Sequence, residues 1–583
     1  MNAHQSSRLG LLLTLVCLIG MLSTACGNPF TNPFNTQITK VPTIKPPKAP
    51  ASQQIYRQAI QAPDIATFDP AQAADTSSLS AISLVFTGMV QLDDMLQVKP
   101  QMAQSYDKSS DGLTYTFHLR TGLQFSDGTS LTSKDVAYSL DRALSPAVSN
   151  LTGLPPTYLG LLKDAPARTQ GKVATLINDS ILTPDEHTVI LKLSKPAGYF
   201  LAALAYPTAY VVEKSVIEQW SLKWTDHLAD NGGQGGDGPF KVKSYIHARS
   251  IILVPNPNYY GPRPQLNEVD QVFYPLAQTS YDAYLAHELD YTAIPVANYP
   301  EAQHSKEFHK VPDLAIDYIT MNYLQAPFNN IKVRQAFALA LNKDAIVKGV
   351  WQGAYNPTCH IVPYGMSGYN RQLRCPASAS TSGDAVKAKQ LFNEGLREER
   401  WTLATLPPIK IVYAAGSPEL TNEITTVTQM WQNVLGVTIE TQAMAYPQLI
   451  NAESNTTGNA HGLQIWVSSW GADYPDPQDW LTLQFGDGQA YNESNYGNNH
   501  SSDADQQKQT QQAMDAADVM TDAQARLQVY NRAEQQVVND VAWLPLFQRS
   551  DLELRKSFVF GFMSSLSAST PPDDWANIYI SSH

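Results

Sequence analysis

LTYTFHLRTGLQFSDGTSLTSKDVAYSLDRALSP, residues 113 to 146, changes its apolar period partway along. In the first eight residues Leu113, Tyr115, Phe117 and Leu119 fall on one face and Thr114, Thr116, His118 and Arg120 on the other, the pattern of a half-buried strand. Asp111-Gly112 before it and Asp127-Gly128 after it supply the turns that a meander needs. His118 lies on the polar face and reads as solvated rather than as a ligand. Thr132 with Asp135 three residues on then opens a helix through a capping box, and Val136, Leu140, Ala143 and Leu144 form its buried stripe up to Pro146. Further on, KVRQAFALALNKDAIV from Lys332 places Val333, Phe337, Ala340 and Leu341 at helical spacing. A second long helix is expected through ARLQVYNRAEQQVVNDV, with Leu527, Tyr530, Val537 and Val541 inward, leading into the strand WLPLF. Strands and helices alternate without an internal repeat, so the class is mixed α/β.

A chain of 583 residues exceeds one ordinary domain, and two or three lobes are expected. Hydrophobic residues make up 43% and charged ones 16%, a globular composition. The net charge of -13 and the lack of a basic stripe argue against nucleic acid as a partner. At the N-terminus one Arg in MNAHQSSRLG precedes the apolar run LGLLLTLVCLIGML and the small residues of STAC, which reads as an export signal over residues 1 to 25. The run is shorter than the roughly 20 apolar residues of a spanning helix. The residues around Cys26 resemble a bacterial lipobox, with Ser23 where Leu is usual, so Cys26 is expected to carry lipid; the alternative is plain secretion. Residues 26 to 50 are rich in proline and lack a period, as a tether would. Of the remaining cysteines, Cys359 and Cys375 are expected to pair in an exported protein. A loop of about 15 residues closed in this way gains about 3 kcal/mol in the chain-entropy model. Zinc would need more than these two cysteines and His360, so no metal or other cofactor is expected.

GQGGDG, residues 233 to 238, fits a dinucleotide fingerprint, but Pro239 and the strand-like FKVKSY follow where a helix should begin. A turn with close backbone approach is the expected role. Nucleophile elbow, H-E-x-x-H and P-loop are missing from the sequence, and His304 and His309 have no metal-helix spacing, so an enzyme is not expected. SSWGADYPDP, residues 468 to 477, is a proline-locked loop that presents acids among rings. Asp473 and Asp476 have only two residues between them and do not face each other as a catalytic pair. Asp476, between prolines, is assigned to loop structure.

Several stretches together resemble the extracellular solute-binding proteins of family 5, the dipeptide and oligopeptide receptors of ABC importers. They are TFDPAQAADTSSLSAISLVFTGMVQLDD, the segment from Val98 to Pro146, GDGPFKVKSY with NPNYYG, LAHELD, MNYLQAPFNNIKVRQAFALALNKDAIV and SWGADYPDP. Departures are Asp237, where Thr or Ser is usual, and Gly471, where some members have a disulfide cysteine. The resemblance implies a two-lobed periplasmic-binding-protein-like fold of type II, in the large class with an additional domain, whose hinged lobes close over a ligand. Lobe I would take residues 51–86, 214–313 and 541–583, the additional domain 87–213, and lobe II 314–540. It implies capture of peptides for a membrane permease by an exported monomer, anchored through Cys26 to the outer face of the membrane or periplasmic. In such a site Asp473 would accept the ligand α-ammonium, Trp470 and Tyr446 would wall the peptide, and Ala74, Asp75 and Thr76 would run beside its backbone. Val467 replaces an arginine of one relative, which leaves a peptide carboxylate without that contact. The same fold binding an oligosaccharide, a nickel complex or another solute is the rival expectation, and a secreted hydrolase a more distant one.

Overall fold

A computed structural model describes residues 45–153, 155–562 and 570–582. The export signal, Cys26 and the tether up to residue 44 lie outside the described residues. The compact body begins at Lys48. The end of the expected tether belongs to it, because the Ala49 N–H donates to Ile580 O at 2.9 Å and Gln54 bonds both Ala49 O and Ile580 O. No helix among the described residues is long and apolar enough to cross a membrane.

One large mixed sheet runs through the body. From one edge the strands are Ile439–Met444, Ile409–Ala414, Ile465–Gly471, Phe308–Met321, Trp543–Arg555, Tyr291–Ala293, Ile55–Ile60, Glu268–Phe273, Ser250–Pro255 and Phe240–Ile246. Ile409–Ala414 and Ile439–Met444 are parallel, joined by the helix Pro418–Leu435 as a crossover requires. The two long strands, Phe308–Met321 and Trp543–Arg555, are antiparallel and pass through both halves of the sheet. Their register breaks between Pro312 and Ile316. Beyond the break Ile316–Met321 pairs with Ile465–Gly471, whereas before it Phe308–Pro312 lies opposite Leu554–Ser550, whose strand continues to Tyr291–Ala293. Such irregularities bend a strand. Arg549 binds Asp317 there through two contacts of 2.5 and 2.7 Å.

Three cores follow. One draws on Ala49 to Phe86, Tyr210 to Phe273 and Val559 to Ile580; a second on Ile319 to Val467 with Val541 to Phe547. The third lies on an antiparallel sheet of Ala103–Lys108, Thr114–Leu119, Thr188–Lys192 and Ile181–Asp185. Thr114–Leu119 is the alternating strand, with Tyr115, Phe117 and Leu119 buried and His118 exposed beside Asp107. The capping box at Thr132 is formed, opening the helix Ser133–Ala143.

The segment from Lys332 differs from a single helix. It is two, Ile331–Leu339 and Lys343–Gly349, because the Asn342 side chain accepts from the Ala345 N–H and starts a new helix. The helix Ala523–Asp540 forms, but Arg526 is the residue buried in its first turns, with Leu527 only half-buried. In GQGGDG, Gly233 and Gly235 have positive φ. A Cβ at Gly236 or Gly238 would come within 2.3 Å of Val85 O or 2.6 Å of Val85 C, so close backbone approach explains the glycines. Asp237 between them is fully buried, accepting from Thr87 N at 2.9 Å and Thr87 Oγ1 at 2.5 Å.

Candidate functional site

Strand Ile465–Gly471 alternates, so Trp466, Ser468 and Trp470 share one face and Val467 enters the core behind it. After Gly471 the chain leaves the sheet and is fixed from several directions. Asp476 caps the short helix Pro477–Trp480 by accepting from Gln478 N at 2.9 Å. The same carboxylate holds Arg526 in two contacts of 2.7 and 2.6 Å. Tyr474 is buried in the core of the four-stranded sheet, nearly parallel to Tyr199 at 5.7 Å and edge-on to Tyr158 at 6.3 Å, and its hydroxyl donates to Gln478. The loop is thereby rigid.

Asp473 is the acid this loop presents. Its N–H donates to Asp479 Oδ2 at 3.2 Å, and the Trp470 indole N–H donates to the same oxygen at 3.3 Å. Asp479 is fully buried and ties the two residues together, while its Oδ1 has no hydrogen-bond partner. Burial pushes the half-buried Asp473 carboxyl up to about 6, partly offset by the Tyr158 hydroxyl. That hydroxyl is itself buried and lacks a fully formed hydrogen bond. Burial first and the Asp473 charge second hold the Asp479 carboxyl well above the usual range. Among the described residues no Lys or Arg contributes to the ionisation of Asp473. The site therefore carries uncompensated negative charge, suited to a ligand cation.

Tyr158 and Tyr206 stack at 3.9 Å above this acid. Burial raises the Tyr206 pKa, and the charges of Asp473, Asp479 and Asp75 add to it, so Tyr206 links the loop to the segment at Asp75. Asp75 is half-buried and caps the helix Thr76–Val85 through Ser78 N at 2.8 Å, flanked by the exposed Ala74 and Thr76. Trp470 is half-buried, its ring 5.2 Å from Tyr491. Asp473, Trp470 and Asp75 thus come into one neighbourhood. Tyr446 does not: it opens the helix Tyr446–Ser454, 63% exposed, and no contact among the described residues ties it to the others. Cys359 and Cys375 are bonded to each other, and His360 stacks on Tyr369 at 4.2 Å. Sequence reasoning missed Tyr158, Tyr206 and Asp479. Only Asp479 lies near a motif, two residues beyond SSWGADYPDP.

Comparison with known proteins places this geometry in a family. The model of the bacterial extracellular solute-binding proteins, family 5 middle, matches residues 97–492. The chain is 26% identical over 492 residues to the oligopeptide-binding protein OppA of Bacillus subtilis (strain 168), covering 83% of this chain and 85% of that protein. It is 26% identical over 522 residues to the probable deoxycholate-binding periplasmic protein YgiS of Escherichia coli (strain K12), covering 88% and 91%. Among solved structures, the Escherichia coli murein tripeptide binding protein MppA superposes with a TM-score of 0.71 at 22% identity, over 91% of this chain and 99% of that one, a likeness of fold.

Proposed function

The chain belongs to the bacterial extracellular solute-binding proteins of family 5, and from that premise we propose that it captures peptides between two lobes and delivers them to the permease of an ABC importer. The observation that carries this reading is Asp473: an acid on a rigid loop, among stacked tyrosines, with no protein cation to balance it. Every unmodified peptide begins with an α-ammonium group, so one fixed carboxylate in a water-poor cleft recognises the class whatever the sequence. Trp470 and Tyr206 line the first residue, and the exposed backbone at Ala74 to Thr76 pairs with the ligand chain as an added strand would. Tyr446, exposed at its helix start, joins the wall only when the lobes close.

Lobe I takes residues 51–86, 214–313 and 541–583, the additional domain 87–213, and lobe II 314–540. The long strands through Pro312–Ile316 act as the hinge. Closure removes the solute from water and creates the surface that the permease distinguishes from the empty form. The protein works as a monomer outside the cell, held to the membrane by lipid on Cys26. The relatives are binding proteins, and the site needs no nucleophile. Another solute is the competing reading, favoured by the name of the deoxycholate relative, but a bile acid brings a negative charge to a site already negative.

Calorimetry with one peptide in free and N-acetylated forms tests the proposal. Asp473→Ala is expected to weaken the free peptide by about 3 to 5 kcal/mol, the effect of removing one partner of a buried ion pair, and to leave the already weak acetylated form unchanged. Equal affinity of the wild-type protein for both forms would remove the anchor.

A further inference from the structure

Past Trp470, the same strand face carries a second acidic group that the fold does not use. Ser468 projects beside Trp470, and its hydroxyl donates at 3.3 Å to Glu453 Oε2, which reaches over from the helix Tyr446–Ser454. Glu453 is only 5% exposed, and its other oxygen, Oε1, is buried without a hydrogen-bond partner. The Glu453 charge reaches Glu493, two residues beyond Tyr491: burial and then the Glu453 charge push the Glu493 carboxyl up to about 8, while burial takes Glu453 up to about 7. Tyr318, from the neighbouring long strand, feels the charges of both glutamates. Tyr491 feels Asp473, Glu493 and Asp479 together, and its ring meets Trp470, so it stands between this group and the Asp473 loop. No Lys, Arg or His is among the charges acting on either glutamate. Ser468, Trp470, Tyr491 and Glu493 are all half-buried, so the group opens on one side.

A buried carboxyl with a vacant acceptor, beside a half-buried one and with no cation among the described residues acting on either, destabilises the folded chain, and glutamine would fill the same space without that penalty. A ligand cation entering the open side would ionise the pair and satisfy the vacant oxygen. We propose that Glu453 and Glu493 form a second cation-accepting subsite, which takes the ammonium or guanidinium of a basic side chain in a ligand whose α-ammonium is held at Asp473. This rests on the peptide reading above and narrows it to peptides with a basic residue close to the N-terminus.

The test is calorimetry, at about pH 8, with alanine tetrapeptides carrying one lysine at the second, third or fourth position, each matched by a peptide with norleucine there. At one position lysine is expected to bind about tenfold or more tightly than norleucine, a charge-assisted contact against an apolar stem of equal length. The double variant Glu453→Gln/Glu493→Gln is expected to lose that preference while holding norleucine peptides within about twofold of wild type. Asp473→Asn should weaken lysine and norleucine peptides alike. Equal binding of lysine and norleucine at every position of the wild-type protein overturns the subsite and leaves the peptide reading standing, and so does a preference that survives the double variant. If no free peptide of the set binds, both fall. The wild-type comparison decides the matter even where the variant does not fold.

Discussion

In the proposed capture, the Asp473 carboxyl sets the pH behaviour. Burial raises Asp473 from 3.8 to about 6, so its neutral form persists to higher pH than that of an ordinary carboxyl. A ligand ammonium needs the ionised form. Above pH 6 the carboxylate is already present; below it a proton must leave first, so affinity falls about tenfold for each further pH unit. Calorimetry of a peptide with uncharged side chains between pH 5 and pH 7.5 should show this fall, and Asp473→Asn should flatten it. A fall that persists unchanged in the variant would assign the titration elsewhere. The sign for folding is the reverse of that for a salt-bridged acid: because the folded pKa lies above the unfolded one, Asp473 lowers stability above pH 6, and that loss is relieved as pH falls towards 4. The loop that carries Asp473 was legible in the sequence because its setting is local, prolines and rings within a few residues. Tyr158, Tyr206 and Glu493 were not, since each sits in an unremarkable stretch and comes near the loop only through the tertiary fold.

Among elements, the loop after Gly471 and the helix Ala523–Asp540 depend on each other. Apolar periodicity put Leu527 inward, whereas the structure buries Arg526, whose two contacts with Asp476 and ring contact with Tyr530 at 4.8 Å lock the loop. Periodicity ranks residues by greasiness and cannot foresee a charge buried with its partner. Arg526→Met leaves Asp476 without its cation and is expected to destabilise the protein by about 3 to 5 kcal/mol in denaturant unfolding. The double variant Arg526→Met/Asp476→Leu should be less damaging than the two single changes added together. A single variant as stable as wild type would show that the loop is held by Tyr474 and the prolines alone. The reading of Asp476 as loop structure rested on its position between Pro475 and Pro477, and the helix cap bears that reading out. The apolar spacing from Lys332 runs through one helix into the next, because it takes no account of Asn342, whose side chain caps the second.

At the scale of the molecule, the α/β class followed from local periods, but the single sheet did not. Phe308–Met321 and Trp543–Arg555 pair across more than two hundred intervening residues, and nothing within either segment specifies its partner. Their buried apolar runs say only that each lies in a core. The two-lobed organisation came from the family resemblance, and the register break at Pro312–Ile316 supplies the place where bending is easiest. In the proposed mechanism, closure of the halves brings a peptide amine to Asp473. A structure determined with an unmodified peptide bound tests this most directly. The expected result is a peptide amino nitrogen within about 3.2 Å of an Asp473 carboxylate oxygen, with the ligand backbone beside Trp470 and enclosed by both halves. A peptide amine held by other groups, with the Asp473 carboxylate turned to the protein, would contradict it.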